Sequence, residues 1–220
     1  MKHWGIVAWA AAATLICAVA AAAQFASQEH TWRDFKGVSS SAFDEASGDH
    51  AMQLSIEVPA GAHAVFAAFT TSEGFASWAV PVAHVDFRVG GSIEASYDPA
   101  ARLGDPNNIR NRILAYVPDR VLVIKNEQAP QGFAGSALFQ RTVTVIEFSA
   151  LSANRTRVTL TNAGYGKGEA FDTVYRHFEW GNAYTLAELR KRFETGPVDW
   201  KARAAKQRAQ EASERVQGKH

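Results

Sequence analysis

From residue 52 the chain alternates, and only near its end does it change period. Met52, Leu54, Ile56 and Val58 are interleaved with Gln53, Ser55 and Glu57, the period-two pattern of a strand buried on one face. Pro59 ends that run. Residues 62–69, carrying Val65, Phe66 and Phe69, predict a short helix, and residues 72–78 a second helical turn capped by Ser72. Val85, Phe87 and Val89 then alternate with His84, Asp86 and Arg88, which predicts a strand over 82–89. Gly90-Gly91 predicts a tight hairpin into a returning strand, 92–97. Further strands are predicted at 109–117, 121–125, 142–151 and 156–162. Residues 98–108 and 127–140, rich in proline, glycine and asparagine, read as long loops.

Residues 169–195 break the alternation. Phe171, Val174, Tyr175, Phe178, Asn182, Leu186, Leu189 and Phe193 recur every three or four positions and so share one face of a long helix. Glu169 and Asp172 lie in its first turn and Arg190, Lys191 and Arg192 near its last, where the backbone dipole favours each charge; Gly196-Pro197 stops it. One aromatic-faced helix cannot bury itself. The order of elements predicts an α+β domain over 51–197: a curved antiparallel sheet wrapped around a long C-terminal helix, with two short helices after the first strand and a pocket between sheet and helix.

The flanks read differently. Residues 1–23 have the three parts of a secretory signal: Lys2 with His3, an apolar stretch from Ile6 to Val19, and Ala21-Ala22-Ala23 before Gln24. Cleavage near Ala23 and export to the periplasm or beyond are the expectation, with an uncleaved membrane-anchoring leader as the alternative and no stable membrane insertion after cleavage. Residues 24–50 are polar and serine-rich, a linker or N-terminal arm in which Trp32 and Phe35 stand out. Residues 198–220 form a charged, alanine-rich tail.

Charge narrows the function classes. The formal net charge of the 220 residues is +1, and loss of Lys2 with the leader leaves zero, whereas a dedicated nucleic-acid binder carries a basic surplus. The one cysteine, Cys17, lies in the leader, so residues 24–220 have no thiol chemistry. Neither the scattered histidines nor the Gly164–Gly168 run, which lacks the lysine and hydroxyl of a phosphate loop, implies a metal or a cofactor.

Several phrases are shared with a known family. Phe69-Thr70-Thr71-Ser72-Glu73-Gly74-Phe75-Ala76-Ser77-Trp78, Phe87-Arg88-Val89-Gly90-Gly91 and Ile113-Leu114-Ala115-Tyr116-Val117-Pro118-Asp119-Arg120 are three of them. Arg155-Thr156-Arg157-Val158-Thr159-Leu160-Thr161 with Gly164, and Phe178, Trp180, Leu186 and Leu189, complete the set. Over about 52–197 the chain resembles the SRPBCC (START-like, birch-pollen-allergen-like) superfamily, nearest the branch named after the activator of the heat-shock-protein-90 ATPase. The resemblance implies a helix-grip fold with a deep apolar cavity. It also implies a role among lipid or hydrophobic-ligand binding, polyketide cyclisation and co-chaperone activity, with no shared catalytic motif.

The residues expected to line the cavity are Phe66, Phe69, Trp78, Phe87, Tyr97, Asn111, Ile113, Phe148, Tyr175 and Phe178. The aromatic members are also what an ordinary core would contain. Asn111 is the sharpest of the ten, because it occupies the apolar register of its strand, where an amide must find partners. Glu147 is a candidate acid or base only if it faces inward, and Ile146 and Phe148 predict the opposite. The expected function is binding of a small hydrophobic or amphipathic molecule, such as a lipid, in the sheet-helix cavity; a polyketide-cyclase-like or hydrolase-like enzyme and a co-chaperone-like protein-interaction module are the alternatives.

Overall fold

A computed structural model describes residues 30–217; the leader expected at 1–23 lies outside them. Eight strands form a single antiparallel sheet. They are β1 (Ser39–Asp44), β2 (His50–Val58), β3 (Val82–Val85), β4 (Ser92–Ser96), β5 (Ile109–Val117), β6 (Val121–Gln128), β7 (Val143–Ser152) and β8 (Arg155–Tyr165). Their spatial order is β1-β2-β8-β7-β6-β5-β4-β3, so β2 closes against β8 and the sheet is otherwise a meander. Among the described residues a 3-10 turn (Trp32–Asp34) and five α-helices accompany it: α1 (Ala62–Thr70), α2 (Ser72–Ala76), α3 (Ser136–Phe139), α4 (Glu169–Thr195) and α5 (Trp200–Gln217). This is the helix-grip arrangement. The curved open sheet and α4 enclose one core, with α4 packed chiefly on β2 and β8 and α1 on β7 and β8.

The helical spacing read from the sequence matches the burial of α4. Phe171, Val174, Phe178, Asn182, Leu186 and Leu189 are buried, and Tyr175 and Phe193 are half-buried at the margins of the same face. Glycines with positive φ stand at both ends of the helix, Gly168 (φ 105°) and Gly196 (φ 96°).

Three features depart from the sequence reading, and the form of the tail adds to it. Ser39–Asp44 lies in the stretch read as linker or arm, yet pairs along β2 as an edge strand. Its backbone ladder is supplemented by exposed side-chain bonds, Ser39 to Ser55 (2.9 Å) and Ser41 to Gln53 (3.1 Å), but nearly all its side chains are exposed and no alternation marks it. α3 is a single turn inside the 127–140 loop. The charged tail is helical, anchored where the Trp200 indole donates to the Ala76 carbonyl (2.7 Å) and the Val198 amide to the Ser77 carbonyl (2.9 Å). The strand predicted over 82–89 stops at Val85, and the tight hairpin is a longer crossing. There the Gly90 amide donates to Ile113 and the Ile113 amide to Gly91 (2.8 Å each), which draws the connection across to β5 and leaves Val89 exposed.

Gly164 adjusts the end of β8. Thr156, Val158, Leu160 and Asn162 face the core at every second position, and continued alternation would turn Tyr165 outward. The left-handed backbone of Gly164 (φ 95°) breaks the parity and puts Tyr165 inside, 1 % exposed.

Candidate functional site

The inner face of the sheet is divided along its length. At the end covered by α1 and α2 it is aromatic and aliphatic. Phe69 meets Trp78 and Phe148 edge-on (5.1 and 5.4 Å between ring centres), Phe66 meets Phe148 and Phe87 (5.3 and 5.7 Å), and Ile113, Val158 and Ile56 complete the packing. Ring pairs of this kind strengthen a core beyond the area they bury.

The opposite end, under the first half of α4, is lined with amides and hydroxyls. Asn162 on β8 faces Met52 on β2 and Thr144 on β7. Its side-chain nitrogen donates to Thr142 and Thr144 (3.2 and 3.0 Å), and its oxygen accepts from the Tyr165 hydroxyl. Farther across the sheet, Asn126 on β6 stands opposite Asn111 on β5, aligned by a bulge that also lets Arg110 and Arg112 share Glu127 on the outer face. The Asn126 amide nitrogen donates to Asn111 Oδ1 (3.2 Å) and to the Gln128 carbonyl (3.0 Å). From above, Asn182 on α4 reaches only the Met52 sulfur, at 3.7 Å. All of these asparagines are buried, and Asn111 Nδ2, Asn126 Oδ1 and Asn182 Oδ1 have no hydrogen-bond partner. An unmet polar atom in a core costs about 1–3 kcal/mol, so the two that face each other on β5 and β6 require a reason.

Two hollows border this interior. One, of about 240 Å³, opens beside the polar end between the start of α4 and β1, β2 and β8; Tyr165, Phe171 and Tyr175 line it, with His50, Asp172 and Arg176 among the polar groups. Gly166 packs closely there: a β-carbon would sit 2.7 Å from the Phe171 ring and would push it aside. Burial holds the Tyr165 hydroxyl well above its ordinary range, with Tyr175 adding to the rise. Burial, then the charge of Glu179, pushes Tyr175 up to about 12. The other hollow, about 530 Å³, lies at the far end of β2 and is lined by Ser39, Ser55, Glu57, Arg157 and Arg190. Glu57 there pairs with Arg157 (3.1 Å) and Arg190 with Glu194 (2.6 Å). The larger hollow is thus a groove whose charges are already matched. The smaller one, backed by the Tyr165–Asn162 hydrogen bond, adjoins the polar interior.

The ten residues expected to line a cavity fall into two groups. Phe66, Phe69, Trp78, Phe87 and Phe148 form the aromatic end, with Ile113 buried beside them. Tyr175 and Phe178 belong to the opposite end, where Phe178 stacks on Phe139 at 3.8 Å and Tyr175 meets Tyr165 at 5.1 Å. Asn111 is buried, 2 % exposed, and Tyr97 is half-buried against the core. Glu147 and His84 are exposed. His177 packs against Phe133 (5.6 Å), and burial lowers its pKa. Asn126, Thr144 and Asn162 were not singled out from the sequence. The signal was there, since each occupies the apolar register of its strand as Asn111 does. Among the described residues no group of three His, Cys, Asp or Glu side chains converges to hold a metal, and no helix is long and apolar enough to cross a membrane.

Comparison with known proteins agrees with this architecture. Residues 59–194 match the model of the family described as Activator of Hsp90 ATPase homolog 1-like protein. No curated protein matches the chain. Among solved structures, the Aha1 dimer from Colwellia psychrerythraea is similar with a TM-score of 0.51 and 16 % identity, over 66 % of this chain and 97 % of that one. A conserved protein of unknown function, EF2215 from Enterococcus faecalis, is similar with a TM-score of 0.50 and 13 % identity, over 74 % and 84 %. At these identities the likeness is one of fold.

Proposed function

The chain belongs to the activator of Hsp90 ATPase homolog 1-like family, and from that premise we propose that it binds a small amphipathic molecule between the inner face of its sheet and α4. The observation that carries the reading is the division of that face. A molecule with an apolar body and a polar head has an aromatic surface for one at the α1 end and unpaired amides for the other on β5 and β6. Fold and family support a ligand-binding or cyclase-like domain. The buried polar side chains of the described residues are amides and hydroxyls, groups suited to holding a polar head by hydrogen bonds. The leader-like pattern of residues 1–23 supports export as the setting.

The test is a thermal-shift panel of fatty acids, fatty amides, sterols and aromatic amides on the purified protein, with native mass spectrometry for a co-purified guest. At least one class is expected to raise the unfolding temperature. No shift with any class, and no retained guest, would defeat the reading.

A further inference from the structure

Asn111 and Asn126 form a half-closed amide pair. The Asn126 nitrogen is committed to Asn111 Oδ1 (3.2 Å) and the Gln128 carbonyl (3.0 Å), with the Arg110 carbonyl at 3.5 Å. Those main-chain acceptors fix which end of Asn126 is nitrogen, and the bond from it fixes Asn111 in turn. What remains is one donor, Asn111 Nδ2, and one acceptor, Asn126 Oδ1, on residues directly opposite each other. Both side chains are more than nine-tenths buried, at 2 % and 5 % exposure. Two amides facing one another have the groups to form two bonds. Here the second bond is absent, and both of its ends are left free.

We propose that this pair is the head-group subsite of the amphipathic guest and selects a neutral group presenting an acceptor beside a donor: a carboxamide, a lactam or a protonated carboxyl. The guest's carbonyl oxygen accepts from Asn111 Nδ2, and its N–H or O–H donates to Asn126 Oδ1. Charge excludes the ionised alternatives. The buried polar side chains of the described residues are threonines, asparagines and one serine, so a carboxylate or ammonium head would enter a low-dielectric site without a counter-charge, at a cost of several kcal/mol. The subsite lies beside the two long connections, residues 97–108 and 129–142. Gln128, next on the same face, holds the first of them by donating to the carbonyls of Asp105 and Asn108 (3.0 and 2.8 Å). A guest reaches the pair by lifting one of these connections from the sheet.

This inference rests on the binding reading above, and its test separates the two. The full chain is titrated calorimetrically with octanamide, with methyl heptanoate, which has similar apolar bulk and an acceptor but no donor, and with octanoate at pH 8. Octanamide is expected to bind about tenfold more tightly than the ester, the selectivity of a site whose buried polar atoms are satisfied by one ligand and stranded by the other. Octanoate is expected to bind no better than the ester. Asn126→Val, which keeps a strand-forming residue and removes the acceptor that only the amide's N–H can meet, is expected to bring amide and ester within about threefold of one another, whereas Asn111→Val, which removes the donor to the carbonyl both ligands carry, is expected to weaken both. Equal affinity for amide and ester in the unaltered protein needs no variant to interpret. It would overturn the subsite, with an internal water as the partner of the two atoms, and leave the container standing. Preference for the amide surviving undiminished in Asn126→Val would likewise overturn it. Binding of none of the three would remove the container, and the subsite with it.

Discussion

Tyr165 and Tyr175 show how closely a side chain's chemistry follows its neighbours. The two rings meet at 5.1 Å; one is fully buried with its hydroxyl on Asn162, the other half-buried near Glu179. Burial disfavours the phenolate in both, and Tyr175 is held at about 12 against an ordinary 10.0. Below pH 10 both tyrosines are protonated whether the chain is folded or not, so their contribution to stability is constant there. Above pH 10 the unfolded chain releases the proton while the folded one retains it, and stability falls as the pH rises towards 12. The urea midpoint is therefore expected to hold level up to about pH 10 and then decline, less steeply in Tyr175→Phe than in the unaltered protein; identical slopes would contradict the assignment. At this scale the sequence is readable only where a residue contradicts its surroundings. Asn111 among Ile109 and Ile113 does so, as does Asn126 after Leu122 and Ile124. That Asn162 is fully bonded while Asn111 is not depends on which strands are neighbours, and alternation along one strand carries no such information.

At the scale of elements, long periodic segments were legible and backbone-held ones were not. α4 could be delimited from its spacing and its two flanking glycines, because burying one face of a helix imposes a strict repeat. β1, by contrast, joins the sheet by main-chain hydrogen bonds with its side chains in solvent, so Ser39-Ser40-Ser41 reads as linker. α5 is more instructive. Its apolar face is almost all alanine, and what fixes it is a set of polar contacts. The Trp200 indole reaches Ala76, Arg203 donates to Glu188 Oε2 at 2.7 Å and to the Tyr184 hydroxyl, and the Asp199 side chain caps Ala202 (2.9 Å). Trp200→Ala should lower stability by about 1–2 kcal/mol through the lost hydrogen bond and ring packing. Faster amide exchange should be confined to residues 198–217. Unchanged exchange there would show that the polar contacts of Arg203 suffice.

For the molecule as a whole, fold class and the identity of the enclosing elements followed from their order: strand, two helices, a run of strands, one long helix. How the interior is apportioned between apolar and polar ends did not follow, because it arises from side chains on β5, β6, β7 and β8 that are far apart in the chain and adjacent only after the sheet closes. Export is argued from residues 1–23 alone. N-terminal sequencing of the mature protein from an extracytoplasmic fraction is expected to begin at Gln24, and a mature chain that retains Met1 would favour the anchored alternative.

Tyr184 sits on the back of α4, away from the sheet. Phe35 from the arm meets its ring edge-on at 5.9 Å, Trp180 stacks beside it, and Arg203 from α5 holds its hydroxyl. Both partners lie outside residues 59–194, the stretch common to the family. The sequences added before and after that shared unit are therefore buckled together through one phenol ring. Removing only the arm before β1 and the tail after α4, which leaves all eight strands in place, would strip both cover pieces from the Trp180–Tyr184 stack and present it to water as an adhesive patch. A shortened version that clumps would be reporting that exposed stack and would say nothing of the guest inside.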